Sequence, residues 1–316
     1  MSRNKIRVAA SILVASIATG LAYAELVRTH GRHSDFGVVW FGARALLHRT
    51  NPYPLVGPGL TFDWFGLNYP ATAMAAVLPL GLLPELVATL IFVWISTALL
   101  TYVLTRSGWQ RIWILPSAAF IIAARTAQWS PLYSAALLMP GLGWMLAAKP
   151  TLGLAVAAAV PSRRLLINAL VGTIVLVVVS LALLPQWPYE WLHSVKPGEF
   201  TPVIMWPGGF VALLALLRWR MPEARLLIAM ACVPVTPAWY ETLPLLLIGK
   251  TKRECQLLSL VSSLGYIVQG AFLTNEGFVE LPYTRPLIVA FCYLPPLIVV
   301  LRRRDFMPAP QGANSF

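Results

Sequence analysis

The chain has 316 residues, 58% of them apolar and only 11% charged, with a mean hydropathy of +0.71. Soluble domains carry roughly 25% charged residues, so this composition excludes a soluble enzyme on an anchor and describes an all-α polytopic membrane protein, residues 1–316 forming one domain. The net charge of +12 does not point to nucleic acid, because Lys and Arg come in short clusters between apolar runs, the pattern of cytoplasmic loops.

Segment 6–27 follows Arg3, Lys5 and Arg7. Its apolar run exceeds the roughly 7–15 residues of a signal-peptide core, so it reads as a retained first span crossing from inside to outside. An outer loop, 28–68, comes next. Within it Ser34 is a good N-cap, and Phe36, Val39, Trp40, Ala43, Leu46 and Leu47 recur at helical spacing. Arg44, His48 and Arg49 fall where they would face water. That pattern predicts an amphipathic helix along the outer membrane surface, stopped by Asn51-Pro52-Tyr53-Pro54.

Segment 70–83, between Pro70 and Pro84, is too short for a span of about 20 residues and reads as a half-helix or re-entrant piece. Segment 84–105 crosses inward to Arg106 and Arg111, 112–124 outward to Arg125 and Gln128, and 131–148 inward to Lys149-Pro150. Segment 151–160 is short again and leads to Arg163 and Arg164. Segment 165–184 crosses outward to an aromatic loop, Trp187 to Trp191, that continues to Glu199, and 203–217 returns to Arg218, Arg220 and Arg225. Segment 226–248 reads as a broken pair hinged at Thr236-Pro237-Ala238-Trp239-Tyr240-Glu241, returning to Lys250, Lys252 and Arg253. Segment 256–273 leads out to Glu276 and Glu280, and 286–301 back to Arg302, Arg303 and Arg304. The span-length rule gives about ten crossings, with both termini cytoplasmic.

Cys232, Cys255 and Cys292 have no metal-ligand spacing, and the chain lacks a Walker loop, a Gly-rich dinucleotide loop and a His-x-x-x-His pair. No metal and no cofactor are expected. The first outer loop is the exception to the charge bias, with Arg28, Arg32, Arg44 and Arg49 beside His48. Binding a lipid phosphate would account for cations on that side.

The chain has 12 carboxylates, few enough for elimination. Those in basic clusters, hairpins and helix starts have ordinary explanations, which leaves Asp35, Asp63, Glu190, Glu199 and Glu241. Asp35 follows the capping serine at a helix start, where the dipole favours negative charge with no further role. A standing carboxylate there can also take a proton from an attacking hydroxyl. The intramembrane polar residues are Gln128, Lys149, Asn168, Glu241 and Gln269. Lys149 reads equally as a snorkelling inner-edge lysine or as a substrate ligand.

The first helix followed by Asp35-Phe36, then Ala43, Leu46-Leu47, Asn51-Pro52-Tyr53, Tyr69-Pro70 and Leu78-Pro79-Leu80, resembles glycosyltransferase family 87. Gln128-Trp129-Ser130, Lys149-Pro150 and Thr236-Pro237-Ala238-Trp239 continue the likeness in the family's order. Ala127 stands where the family has glycine, and Tyr240-Glu241 where a histidine is frequent. The resemblance implies a GT-C-like bundle and an inverting transferase of the bacterial cytoplasmic membrane. Such an enzyme moves a sugar, mannose or arabinofuranose, from polyprenyl phosphate to a lipid or glycan hydroxyl on the outer face.

On that reading the resemblance makes Asp35 the general base. Arg28, Arg32, Arg44, His48, Arg49, Gln128, Lys149, Trp239 and Glu241 are the candidates for holding donor phosphate or substrate. The alternative is a polytopic transporter or lipid flippase, because the broken helices at 70–83 and 226–248 are also what a substrate path needs. A third reading is an assembly factor that keeps the scaffold without the chemistry.

Overall fold

Residues 2–29, 34–62, 66–160, 162–195, 200–271 and 283–303 are described by the computed structural model. Arg32, Asp63, Glu199, Glu276 and Glu280 lie outside them. Among the described residues four helices are long and apolar enough to cross a membrane: α1 (Arg3–Arg28), two further helices at Glu85–Ser107 and Arg163–Leu183, and Thr284–Arg302 near the end of the chain. The protein is an all-helical membrane protein. Its only strands among the described residues are the two-residue β1 (Thr201–Pro202) and β2 (Pro234–Val235), paired antiparallel.

α1 shows why such a helix packs as it does. Ser11, Ala15, Ala18 and Ala22 recur at helical spacing and are buried, whereas Leu13, Ile17 and Tyr23 are exposed. Small residues let a neighbouring backbone come close. The neighbour is the antiparallel helix Glu85–Ser107, whose Tyr102 hydroxyl donates to Asn4 Oδ1 near the start of α1. The helix Arg163–Leu183 turns Leu166, Ile167, Leu170, Ile174 and Val178 outward, an apolar face that hydrocarbon can cover.

Shorter pieces fill the rest, in order: α2 (Asp35–Leu47), α3 (Ala71–Ala76), α4 (Glu85–Ser107), α5 (Ala118–Arg125), α6 (Ser130–Leu138) and α7 (Pro150–Ala159). After them come α8 (Arg163–Leu183), α9 (Trp187–Ser194), α10 (Pro222–Cys232), α11 (Leu243–Leu246) and α12 (Lys252–Ala271). α13 (Thr284–Ile288) passes through a π segment, Val289–Tyr293, into α14 (Leu294–Arg302). Pro295 and Pro296 follow directly, and a proline ring clashes with the carbonyl four residues back. Widening the helix to a π turn moves those carbonyls aside.

The amphipathic helix expected after the first span is α2. Phe36, Val39, Ala43 and Leu46 are buried, and Arg44, His48 and Arg49 are exposed. Its end is a left-handed cap at Arg49 (φ 54°), with the Thr50 amide bonding back to the Ala45 carbonyl. The half-helix at 70–83 is α3 followed by a 3-10 turn, Leu78–Leu82.

The stretch 131–148 differs from the expectation. It is not one inward crossing: α6 ends at Leu138, and Pro140 opens a 3-10 segment, Pro140–Ala148, that doubles back. The Tyr133 hydroxyl donates to the Met145 carbonyl at 2.8 Å, whereas twelve residues of continuous helix would hold them about 18 Å apart. α7 then reverses again, with Gly153 lying so close to the Leu146 carbonyl that a Cβ there would sit 2.2 Å from its oxygen. Lys149 is the tip of this second hairpin. A residue before proline avoids the helical region, and Lys149 is accordingly extended (φ −133°, ψ 86°) with Pro150 at the first helical position.

The broken pair at 226–248 is present: α10, β2, a turn at Trp239–Thr242 and α11. Its two ends meet, since Lys250 Nζ lies 2.5 Å from Glu223 Oε1 at the start of α10. Arg303 at the end of α14 joins them, 3.1 Å from Glu254 Oε2. Thr251 and Glu254 form a reciprocal cap on α12, the Glu254 amide bonding Thr251 Oγ1 and Glu254 Oε2 accepting from the Thr251 amide. Arg225 closes the C-terminal end of α7 by donating to the Ala158 and Ala159 carbonyls.

Candidate functional site

Asp35 opens α2, and its main-chain amide donates to the Thr126 carbonyl at 3.2 Å. An orphan amide at one helix start thus meets an orphan carbonyl at the end of α5. The carboxylate is held at one oxygen. Gln128 Nε2 donates to Oδ2 at 2.5 Å, and the Tyr240 hydroxyl reaches the same oxygen at 3.4 Å. No described residue donates to Oδ1.

The Gln128 amide is aimed by the turn that ends α5. Ala127 is left-handed (φ 53°), and the Gln128 main-chain amide bonds back to the Ala123 carbonyl at 2.8 Å. Behind this turn runs an aromatic column. Phe36 stacks on Phe92 at 4.2 Å, and Phe92 meets Trp129 edge-on at 5.0 Å. Trp129 in turn meets Tyr133 at 6.4 Å. Such contacts fix ring positions beyond their area burial, so α2, α4 and α6 register against one another behind Asp35.

Lys149 pairs with Glu241, and its Nζ lies 5.8 Å from the centre of the Tyr240 ring. Glu241 is 3% exposed, and the Lys149 side chain is 16% exposed. Tyr133, from α6, pins the lysine by accepting the Lys149 main-chain amide at 2.6 Å. Tyr69, in the loop before α3, lies within electrostatic reach of Asp35 and Glu241, and its own carbonyl accepts from the Tyr53 hydroxyl at 3.2 Å. The result is one polar cluster inside an apolar bundle: Asp35, Gln128, Lys149, Tyr240, Glu241 and Tyr69. α7 and α10 have ten and eleven residues, which puts Lys149 and the Trp239–Thr242 turn about 15 Å inward from the basic end of the bundle.

The fold therefore gathers Asp35, Gln128, Lys149 and Glu241. Trp239 stands next to Tyr240 but turns away, its indole N–H donating to Gln269 Oε1. The loop cations among the described residues are elsewhere. Arg44, His48 and Arg49 lie at the far end of α2, Arg44 being nine residues on from Asp35, about 13 Å along the helix, and Arg44 sits over the Trp40 ring. The Arg28 side chain is 64% exposed and pairs with Glu25. Glu25 also binds Arg125 at 2.7 Å, so Arg125, at the turn that supports Asp35, is a nearer cation than Arg44. Glu190 lies on α9, and no bond links it to the cluster among the described residues.

Tyr69 and Tyr240 entered the sequence reading as parts of the family-like motifs and not as site residues. Tyr240 reads as core until its hydroxyl is seen beside the Asp35 carboxylate. Tyr133 carries no sequence signal at all. Among the described residues there is no group of His, Cys, Asp and Glu that could hold a metal ion. Comparison of the chain with family models, with characterised proteins and with solved structures gives no significant match.

Proposed function

We propose that the chain is an inverting membrane glycosyltransferase that moves a sugar from a polyprenyl-phosphate donor to an acceptor hydroxyl, with Asp35 as the general base. One observation carries this. Asp35, Gln128 and Lys149 come from three separate stretches of the family-like pattern, and they meet in a single polar cluster with Glu241, which stands where the sequence departs from that pattern. Spacing in sequence alone imposes no such meeting.

The chemistry follows from the geometry. Asp35 Oδ2 is held by two donors and no described residue donates to Oδ1, so Oδ1 takes the proton of the acceptor hydroxyl. The acceptor oxygen bonds to the anomeric carbon as the carbon–oxygen bond to phosphate breaks, and that electron pair leaves with polyprenyl phosphate. Negative charge grows on the leaving phosphate, and Lys149 is the ammonium in the cluster that can meet it. Binding would exchange part of its pairing with Glu241 for the phosphate.

The reading includes a GT-C-like bundle in a bacterial cytoplasmic membrane, with the broken helix pairs supplementing the four long helices and the cluster opening to the outer face. Arg3 and Lys5, Arg163 and Arg164, and Lys252 and Arg253 all sit in first turns of helices, where the dipole disfavours cations. Membrane orientation explains them better than helix stability does. A cysteine at position 35 labelled only from the cytoplasm would reverse this orientation.

The test is transfer. Purified protein in lipid nanodiscs receives labelled polyprenyl-phosphate mannose or arabinofuranose with hydroxylated lipid acceptors. Wild type should transfer label, and Asp35→Asn should lose about 10²–10⁴-fold in turnover while still folding. No transfer from either donor, together with lipid movement across vesicles, would favour the transporter reading.

A further inference from the structure

Groups around Asp35 carry hydrogen-bonding capacity that no described residue uses. Glu241 gives Oε1 to Lys149, but its Oε2 is buried with no donor. Gln128, 2% exposed, uses its side-chain N–H groups on Asp35 and Thr126, and its Oε1 is buried with no donor. Asp35 Oδ1 is a third open acceptor. On the donor side, the Tyr69 hydroxyl has no hydrogen-bond partner among the described residues, and the Lys149 ammonium, with three N–H groups, gives one to Glu241.

An acceptor left buried and unpaired costs about 1–3 kcal/mol, and each such group in a native protein needs an explanation. Here two of them belong to residues bound to, or next to a residue bound to, the same carboxylate. The spare groups also say what fits. A phosphate or carboxylate brings only acceptors and would face Glu241 Oε2 and Gln128 Oε1 as like to like. An ammonium brings only donors and leaves Tyr69 and Lys149 unused. Groups that donate and accept at once, several on one small frame, satisfy both sets. Water does this one molecule at a time, and the hydroxyls of a sugar do it several at once.

We infer that Glu241, with Gln128 and Tyr69, reads the hydroxyl groups of the transferred sugar, Glu241 Oε2 and Gln128 Oε1 accepting from them and Tyr69 donating. Glu241 is then a specificity-determining residue, distinct from the base. The inference deepens the transferase reading and rests on it for the identity of the sugar carrier, but it is tested by binding. Lys149 holds the Glu241 carboxylate at Oε1, so its other oxygen presents a directed acceptor.

The experiment is equilibrium binding in nanodiscs with three probes: polyprenyl-phosphate mannose, polyprenyl-phosphate arabinofuranose and bare polyprenyl phosphate. Wild type should bind at least one sugar-bearing lipid about 10–100-fold tighter than the bare lipid, the factor for pairing a buried acceptor. Glu241→Gln should bring that ratio near parity, and the ratio is the readout because freeing Lys149 also changes bare-lipid binding. Because this change strips Lys149 of its partner and can unfold the protein, Tyr69→Phe is the second variant. It breaks no hydrogen bond among the described residues and should also lower the ratio.

Equal binding of all three lipids by wild type overturns the inference, as does full discrimination in both variants. Sugar discrimination without transfer would defeat the transferase reading and leave the inference standing. Transfer with discrimination untouched by Glu241→Gln and Tyr69→Phe would do the reverse.

Discussion

Gln128 donates its side-chain N–H to the Asp35 carboxylate at 2.5 Å across 93 positions of sequence. The two residues are also joined through the backbone, because Asp35 N–H bonds to Thr126 two residues before Gln128. The carboxylate is thus oriented by the end of another helix and not by its own. Tyr240 approaches the same oxygen at 3.4 Å, a length at which a hydrogen bond is weak. Gln128→Leu should lower kcat by about 10–100-fold, since a bond to a charged group is worth roughly 1.5–3 kcal/mol. Tyr240→Phe should cost less. The opposite order in steady-state transfer assays would mean that tyrosine, and not glutamine, orients the base.

Lys149 and Glu241 tie the tip of the second hairpin to the turn at Trp239–Thr242. Removing one partner of a buried pair strands the other charge, at a cost of about 3–5 kcal/mol. Lys149→Met alone and Glu241→Leu alone should each lower Tm strongly. The double variant should be more stable than either single one, because no buried charge remains. A double variant whose Tm loss equals the sum of the two single losses would show that the pair is solvated and uncoupled.

How much of this was legible beforehand varies by residue. Ser34, the apolar spacing after it and Asn51-Pro52 fixed α2 and its end, because capping and periodicity are local. Pro70, Pro84 and Pro237 marked broken segments for the same reason. Pro140 did not reveal its fold-back, since a proline inside an apolar run is compatible with a kink as well as a reversal. That one choice moved Lys149 from the basic end to the cluster. The arginines of the first outer loop drew attention as wrong-side cations, yet reach and direction are three-dimensional facts. Arg44 lies nine residues along α2 from Asp35, and Arg28 pairs with Glu25 at the end of α1.

Ala127 offers a test of the turn that aims Gln128. A left-handed conformation costs a residue other than glycine roughly 1–2 kcal/mol, and φ here is 53°. Ala127→Gly relieves that strain but loosens the unfolded chain by about 0.4–1 kcal/mol. The strain term is the larger. Tm should rise by about 1–3 °C, since 1 kcal/mol moves a domain of this size class by roughly that amount. A lower Tm in detergent would show that the alanine is unstrained at this place.

Acid stability should depend on the cluster at the basic end. Burial opposes the charge of Glu223, but hydrogen bonding to Lys250 and the charges of Lys250 and Arg303 outweigh it and hold the carboxyl below its usual range. Glu254 is held down in the same direction: burial opposes its charge, and the amides of Lys250 and Thr251 with Arg303 overcome that. A carboxyl whose folded pKa is depressed adds stability above its unfolded value, about 4.3 for Glu, and loses it as pH falls through the folded value. Thermal stability should therefore hold from pH 7 to about 5 and decline below about 4. In the double variant Glu223→Gln, Glu254→Gln the protein should be less stable at pH 7 and show a shallower acid decline. An acid limb as steep as that of wild type would place the responsible carboxyls elsewhere, with Glu25 between Arg28 and Arg125 the next pair of contacts to remove.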